Sequence, residues 1–259
     1  MDKLKIAVSL IGNDNASEDF LRKLREDPAM VELCSLCSPK DDTADAQVLV
    51  PATEPIKCPA DAVEVIMSDK ANIMPLPQEP TAEDIIRLRD ILERDFDLRS
   101  PRIAIVRDSS MQNPDLASQV TTEQGINTYG PYTMAQFLGG NAACHFDCVI
   151  TTDGETTTRR IMTELAIEVP VRVFAGKESV TTAACQPVCI NDMEDGLGDV
   201  SAWTNPIYIA IDIVRNRASY DEARQNPLPK LYHDKREDRR REYSQQTNEK
   251  LSEPSPSGE

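Results

Sequence analysis

The chain has 259 residues, 40% of them hydrophobic and 28% charged, enough for one large domain or two small ones with a sizeable core. Lys and Arg total 28 against 44 Asp and Glu, and the net charge of -16 repels phosphate backbones and anionic lipid. No apolar run approaches the ~18–20 residues that cross a bilayer, so neither a nucleic-acid nor a membrane partner is expected.

The opening Met1-Asp2-Lys3-Leu4 leads into a short apolar run without a cleavage signal. Seven cysteines, an odd number, point to free thiols in a reducing compartment, so a cytoplasmic location is expected. Ile6 to Ile11 reads as a strand, with turn residues from Gly12 to Asn15. Ser17 is a candidate N-cap for a helix through Phe20, Leu21 and Leu24 that ends near Asp27-Pro28. Residues 1–37 thus read as a strand-helix unit. Residues 38–80 are the least regular part, because prolines from Pro39 to Pro80 break up any helix. Ala46–Val50 and Ala62–Met67 are candidate strands within what is otherwise a shortened, irregular connection.

Thr81 and Asp84 resemble a capping box, and Ile85, Leu88, Ile91, Leu92 and Phe96 follow at helical spacing. Arg102 to Val106 is a buried strand, Leu116 to Val120 a helical stretch, and Tyr132 to Leu138 the start of another helix. A strand from Phe146 to Thr151, a helix from Thr157 to Ile167 and a strand from Val171 to Ala175 come next. Ser201 caps a long helix carrying Trp203, Ile207, Ala210, Ile211 and Val214. This alternation predicts a mostly parallel sheet covered on both faces, with 81–232 as the main α/β domain. Residues 233–259 form a mixed-charge tail with too little apolar surface to fold.

Neither a dinucleotide nor a P-loop glycine pattern occurs among the ten glycines. Gly196-Leu197-Gly198 precedes a helix, but Asp192, Glu194, Asp195 and Asp199 crowd the turn and oppose an anion. His145 and His233 have no second histidine at ligand spacing and read as surface or structural residues. Cys34-x-x-Cys37 suits zinc or a redox dithiol, although the apolar neighbours of Cys34 fit a buried strand as well. Asp147, Asp153 and Glu155 surround a strand end where a hard cation such as Mg²⁺ could bind; a solvated turn is the simpler account. Arg159 and Arg160, after a run of threonines, are candidate anion contacts, or mark an exposed helix start.

Several segments together carry a family resemblance. Leu92 to Val106, Tyr129-Gly130-Pro131-Tyr132, Phe146 to Ile150, Ile207 to Arg217 and Asn226-Pro227-Leu228 are similar, in order and spacing, to 4-hydroxythreonine-4-phosphate dehydrogenase. The resemblance implies a three-layer α/β/α, isopropylmalate-dehydrogenase-like fold with a mostly parallel sheet and a reduced second domain. It also implies an NAD- and divalent-metal-dependent oxidoreductase of vitamin B6 synthesis, working as a homodimer with its metal on three histidines.

The chemistry departs from that pattern. Where the family reads Asn-Pro-His-Ala-Gly, this chain has Ser109-Ser110-Met111-Gln112-Asn113, and where it reads Tyr-His-Asp-Gln-Gly, Thr151-Thr152-Asp153-Gly154-Glu155. The late Asp-His-Gly-Thr segment corresponds to Ala184-Cys185-Gln186-Pro187, the family lysine falls near Met162, and the segment with the first metal histidine is missing between 40 and 80. No catalytic residue carries over. The expectation is a binding or regulatory protein that pairs with itself or with an active paralogue and takes a small phosphorylated ligand, with NAD and a divalent metal required only if the family activity survives. The alternatives are an oxidoreductase whose metal has moved to Asp147, Asp153 and Glu155, and a thiol module on Cys34 and Cys37.

Overall fold

The computed structural model describes residues 3–10, 15–50, 59, 61–107, 112–152, 155–184 and 201–226. The strands are β1 (Leu4–Leu10), β2 (Cys34–Cys37), β3 (Ala46–Val50), β4 (Val63–Met67), β5 (Ile73–Pro75), β6 (Ile103–Arg107), β7 (Thr128–Thr133), β8 (Cys148–Thr151), β9 (Val171–Ala175) and β10 (Val180–Ala184). The helices are α1 (Asn15–Glu26), α2 (Pro28–Leu33), α3 (Ala82–Asp95), α4 (Leu116–Gln124), α5 (Met134–Leu138), α6 (Glu155–Glu164) and α7 (Ser201–Gln225). The strands share one sheet in the order β2-β1-β3-β10-β9-β4-β5-β8-β6-β7. Pairing is parallel except at β10·β9, β9·β4 and β4·β5, which confirms the mostly parallel α/β architecture. Apart from the end of α7, these elements lie in one unit, Met1–Tyr220; of a second, Asp221–Glu259, the described residues are 221–226.

Strand alternation divides the core. Val63, Val65, Ile103, Ile105, Cys148, Ile150, Val171 and Val173 face one side, where they pack with Leu24, Met30, Leu88, Val120 and Ile211 from α1, α2, α3, α4 and α7. Ile66, Ile73, Ala104, Val106 and Val149 face the other, against Phe137 of α5 and Ile161 of α6.

The Thr81–Asp84 box is present in full: Thr81 Oγ1 accepts from the Asp84 N–H at 3.2 Å, and Asp84 Oδ2 accepts from the Thr81 N–H at 2.8 Å. It starts α3, whose Ile85, Leu88 and Leu92 are fully buried.

The structure extends the sequence reading at four places and moves one boundary among them. Asp27-Pro28 does not merely end a helix: Asp27 caps α2, accepting from the Ala29 N–H at 3.0 Å, and proline occupies its first turn. Within residues 38–80 the two candidate strands are present as β3 and β4, joined by a short third, β5, and all three lie inside the sheet. Tyr132 belongs to strand β7, and α5 begins only at Met134, where Thr133 and Gln136 form a second capping box. Val180–Ala184 is an additional strand, pairing with β9 and β3. The 233–259 tail lies outside the described residues. Among the described residues no helix is long and apolar enough to cross a membrane.

Candidate functional site

In open α/β sheets, ligands gather beyond the carboxyl ends of the strands. Here β5, β6 and β8 run parallel, with Thr151 of β8 level with Pro75 on one side and Val106 on the other. The chain then turns into α6. Thr151 Oγ1 and Thr158 Oγ1 are 2.7 Å apart and both residues are buried, which pins the first turn of α6 onto the strand end. The Thr152 N–H donates to Val106 O at 3.2 Å.

Thr152 and Thr157 are 3% and 1% exposed, and each Oγ1 is buried without a hydrogen-bond partner among the described residues. A buried hydroxyl left unpaired costs about 1–3 kcal/mol, so two of them at one turn mark a polar site within an apolar layer.

The charged groups sort by end of the strand. Glu155 pairs with Arg159 at 3.0 Å, both 74% exposed, a surface pair of small energetic value. Arg160, one residue on, is exposed. Asp147 lies before β8, at the other end, and accepts from the Arg102 N–H at 2.7 Å and Arg102 Nε at 3.3 Å. Its own burial pushes the carboxyl up, but the hydrogen bonds and charge of Arg102 together outweigh that and hold it below the usual aspartate range. Asp147 and Glu155 are therefore separated by the length of β8, about 13 Å at 3.3 Å per residue, and do not converge on one cation. Asp153 and Met111 lie outside the described residues, as do Cys58, Cys185 and Cys189.

A second charged pair stands level with the site. Ile66 of β4 is opposite Ile73 of β5, and Pro75 is opposite Thr151, which brings Glu64 to the height of the β8 terminus. Glu64 Oε1 lies 3.1 Å from Arg172 Nε, an ion pair whose angle leaves that Nε without a hydrogen bond. Burial raises the Glu64 carboxyl, Arg172 opposes the rise, and the charge of Glu155 adds to it. A lone acid within Val-Glu-Val-Ile-Met and a lone base within Val-Arg-Val-Phe-Ala are the sequence signal for this pair.

The remaining candidates separate. Cys34 and Cys37 are three residues apart on β2, and strand alternation turns them to opposite faces, which rules out a shared zinc ion or disulfide in this conformation. Cys34 is buried 3.6 Å from Met30 Sδ. Burial raises the thiols of Cys34 and Cys37, and it pushes Cys148 up to about 12. His145 is exposed in a 3-10 turn, Gly139–His145. Among the described residues, no three His, Cys, Asp or Glu side chains are grouped to hold a metal. Thr152 presents a buried hydroxyl at this strand end.

No family model matches the chain. A 4-hydroxythreonine-4-phosphate dehydrogenase from Bacteroides thetaiotaomicron is 29% identical over 175 residues, covering 63% of this chain and 48% of that protein. The chain thus matches about half the length of this relative. Among solved structures, isocitrate dehydrogenase from Methylococcus capsulatus aligns with a TM-score of 0.52 at 9% identity, and a beta-decarboxylating dehydrogenase from Thermococcus kodakarensis with 0.51 at 12%. Each alignment covers 86% of this chain and 89% of the other, and at these identities the likeness concerns the fold. Over part of its length the chain is thus similar to a 4-hydroxythreonine-4-phosphate dehydrogenase, and its fold is similar to that of the isocitrate and beta-decarboxylating dehydrogenases.

Proposed function

We propose that this chain is a non-catalytic relative of 4-hydroxythreonine-4-phosphate dehydrogenase that binds a small phosphorylated ligand at the carboxyl end of β8 and acts as a binding or regulatory protein. The observation that carries the reading is Thr152: a hydroxyl stands where the family has a metal-binding imidazole, with no substitute donor set among the described residues. A hydroxyl is a weak ligand for a borderline cation, and losing even an outer partner of a metal site typically costs 10–100-fold in affinity or activity. Metal polarisation supplies several kcal/mol in such oxidoreductases, so its loss takes turnover below detection. The intact apolar framework of β6, β8 and α7 supports a role in binding.

The test is incubation of the chain with NAD, Mg²⁺ or Zn²⁺ and 4-phosphohydroxythreonine, following NADH absorbance. No NADH above background is expected; turnover at an ordinary enzymatic rate would overturn the reading. As the family resemblance suggests, the protein works in the cytoplasm as a homodimer or paired with an active paralogue, which native mass and copurification would check.

A further inference from the structure

We propose that a cleft at the end of the sheet remote from Thr151 binds a small organic amine, with its ammonium group on Asp69 and Glu168 and its apolar stem against Met67, Val169, Val171 and Ile209. The site goes beyond the role given to the β8 terminus and does not depend on it.

Ile66 of β4 pairs with the start of β5, whereas Thr151 is level with its end, so the turn after β4 lies at the far end of the strands. Met67 stands opposite Val171, the first residue of β9, which brings the turn at 68–70 alongside the segment that enters β9. Asn205 and Ile209, about one helical turn apart on α7, supply the third wall of a cleft of about 370 Å³, a size that suits a small molecule. Two contacts hold the walls. Ser68 Oγ donates to Ala71 O at 2.7 Å and fixes the turn, and Lys70 Nζ donates to Ala166 O at 2.6 Å and ties that turn to the chain just past α6. Asp69, Glu168 and Asn205 line the same cleft, and none of their side chains has a hydrogen bond or ion pair among the described residues. Three acceptors are thus offered to a ligand, two of them anionic, against one ammonium already placed on a carbonyl. That balance favours a cation.

The floor selects which cation. Met67, Val169, Val171 and Ile209 give nothing to the water shell of a metal ion, and two carboxylates with one amide fall short of the six to eight oxygens that calcium takes. Among the described residues, no three metal-ligating side chains are grouped. An alkylammonium satisfies both parts of the cleft, its N–H groups on the acceptors and its carbon chain on the floor. The charge of Lys70 offsets one carboxylate, so millimolar affinity is expected.

Saturation-transfer NMR and thermal unfolding of the full chain with n-hexylamine test the site, with n-hexanoate and n-hexanol as controls at matched ionic strength. Hexylamine should bind, and at about ten times its Kd it should raise Tm by about 3–6 °C. Hexanoate should give no rise, and hexanol a smaller one. Glu168→Gln and Asp69→Asn, both at exposed positions, should each weaken hexylamine about 3–10-fold, and the two together should abolish its effect. Glu123→Gln, an exposed carboxylate on α4 outside the cleft, should change nothing. Absence of hexylamine binding, binding kept in the double variant, or equal weakening by Glu123→Gln would overturn the site, the last two by showing attraction to the negative surface as a whole. An equal response to hexanoate would overturn it too. An equal rise with calcium chloride, lost in the same variants, would make the cleft an inorganic cation site and overturn the amine assignment.

Discussion

Arg217 donates from Nε and Nη2 to the two carboxylate oxygens of Asp95, at 2.8 and 2.7 Å, and the Asp95 side chain is fully excluded from solvent. Arg94 donates to the same two oxygens at 2.6 and 3.2 Å, and Asn216 Nδ2 to the Asp95 carbonyl at 2.9 Å. Both arginines also reach Gly176 O, in the turn between β9 and β10. One carboxylate therefore ties the end of α3 to that turn and to α7, and it joins two of the segments through which the chain resembles its relatives. Removing one partner of a buried pair leaves an uncompensated charge. Asp95→Ala should cost about 3–5 kcal/mol in urea unfolding, and Arg217→Lys should also destabilise because it loses the two-pronged geometry.

Glu64 and Asp147 should give opposite pH dependences. The Glu64 carboxyl is raised in the fold, so its contribution is greatest below the usual glutamate range near about 4.3 and is lost as pH climbs through the folded value. Glu64→Gln carries a constant cost from the unpaired Arg172, but its stability relative to the unaltered protein should rise from about pH 4 to 7. Asp147 is lowered, so its contribution is present above the usual aspartate range near about 3.9 and disappears as pH falls through the folded value. Asp147→Asn should remove that part of the acid limb. Urea midpoints collected across pH check both slopes.

The thiols should differ in reactivity. Cys144 is exposed, whereas Cys34 and Cys148 are buried with raised pKa. Near pH 8, iodoacetamide followed by peptide mapping should label Cys144 in the folded protein and reach Cys34 and Cys148 only in urea. Rapid labelling of Cys148 without denaturant would contradict its placement in the core.

Two glycines should tolerate alanine unequally. Gly125 has φ +66° and open space where a Cβ would sit, whereas Gly130 has φ +110° and a Cβ there would lie 2.6 Å from Ile105 O. Gly125→Ala should cost about 1–2 kcal/mol from backbone strain alone. Gly130→Ala adds a clash with main chain and should cost more; thermal unfolding of both variants checks the order.

Much of the fold is legible in the chain. Ala46–Val50 alternates, Val171–Ala175 is an apolar run interrupted only by Arg172, and the α3 cap and stripe read directly as a helix. The misreadings have physical causes. Gly130-Pro131 is turn chemistry in isolation, yet β7 is an edge strand and can spare the missing N–H. Val180–Ala184 is small and Thr-rich, and it becomes a strand through pairing on both sides, a non-local cause. Asp27-Pro28 carries start and stop signals at once. At the site, the position of Thr152 just beyond a strand was readable from the sequence, while the buried state of its hydroxyl depends on α6 folding back. Conversely, Asp147 and Glu155 are near in sequence and separated by the strand between them.

The position of β10 has a consequence for how the molecule is made. It is the link between β3 and β9, so the three strands nearest the N-terminus have no sheet partner in the rest of the molecule until residues 180–184 arrive. During synthesis, that first block must wait on the ribosome for more than a hundred residues of later chain before its open edge at β3 is closed.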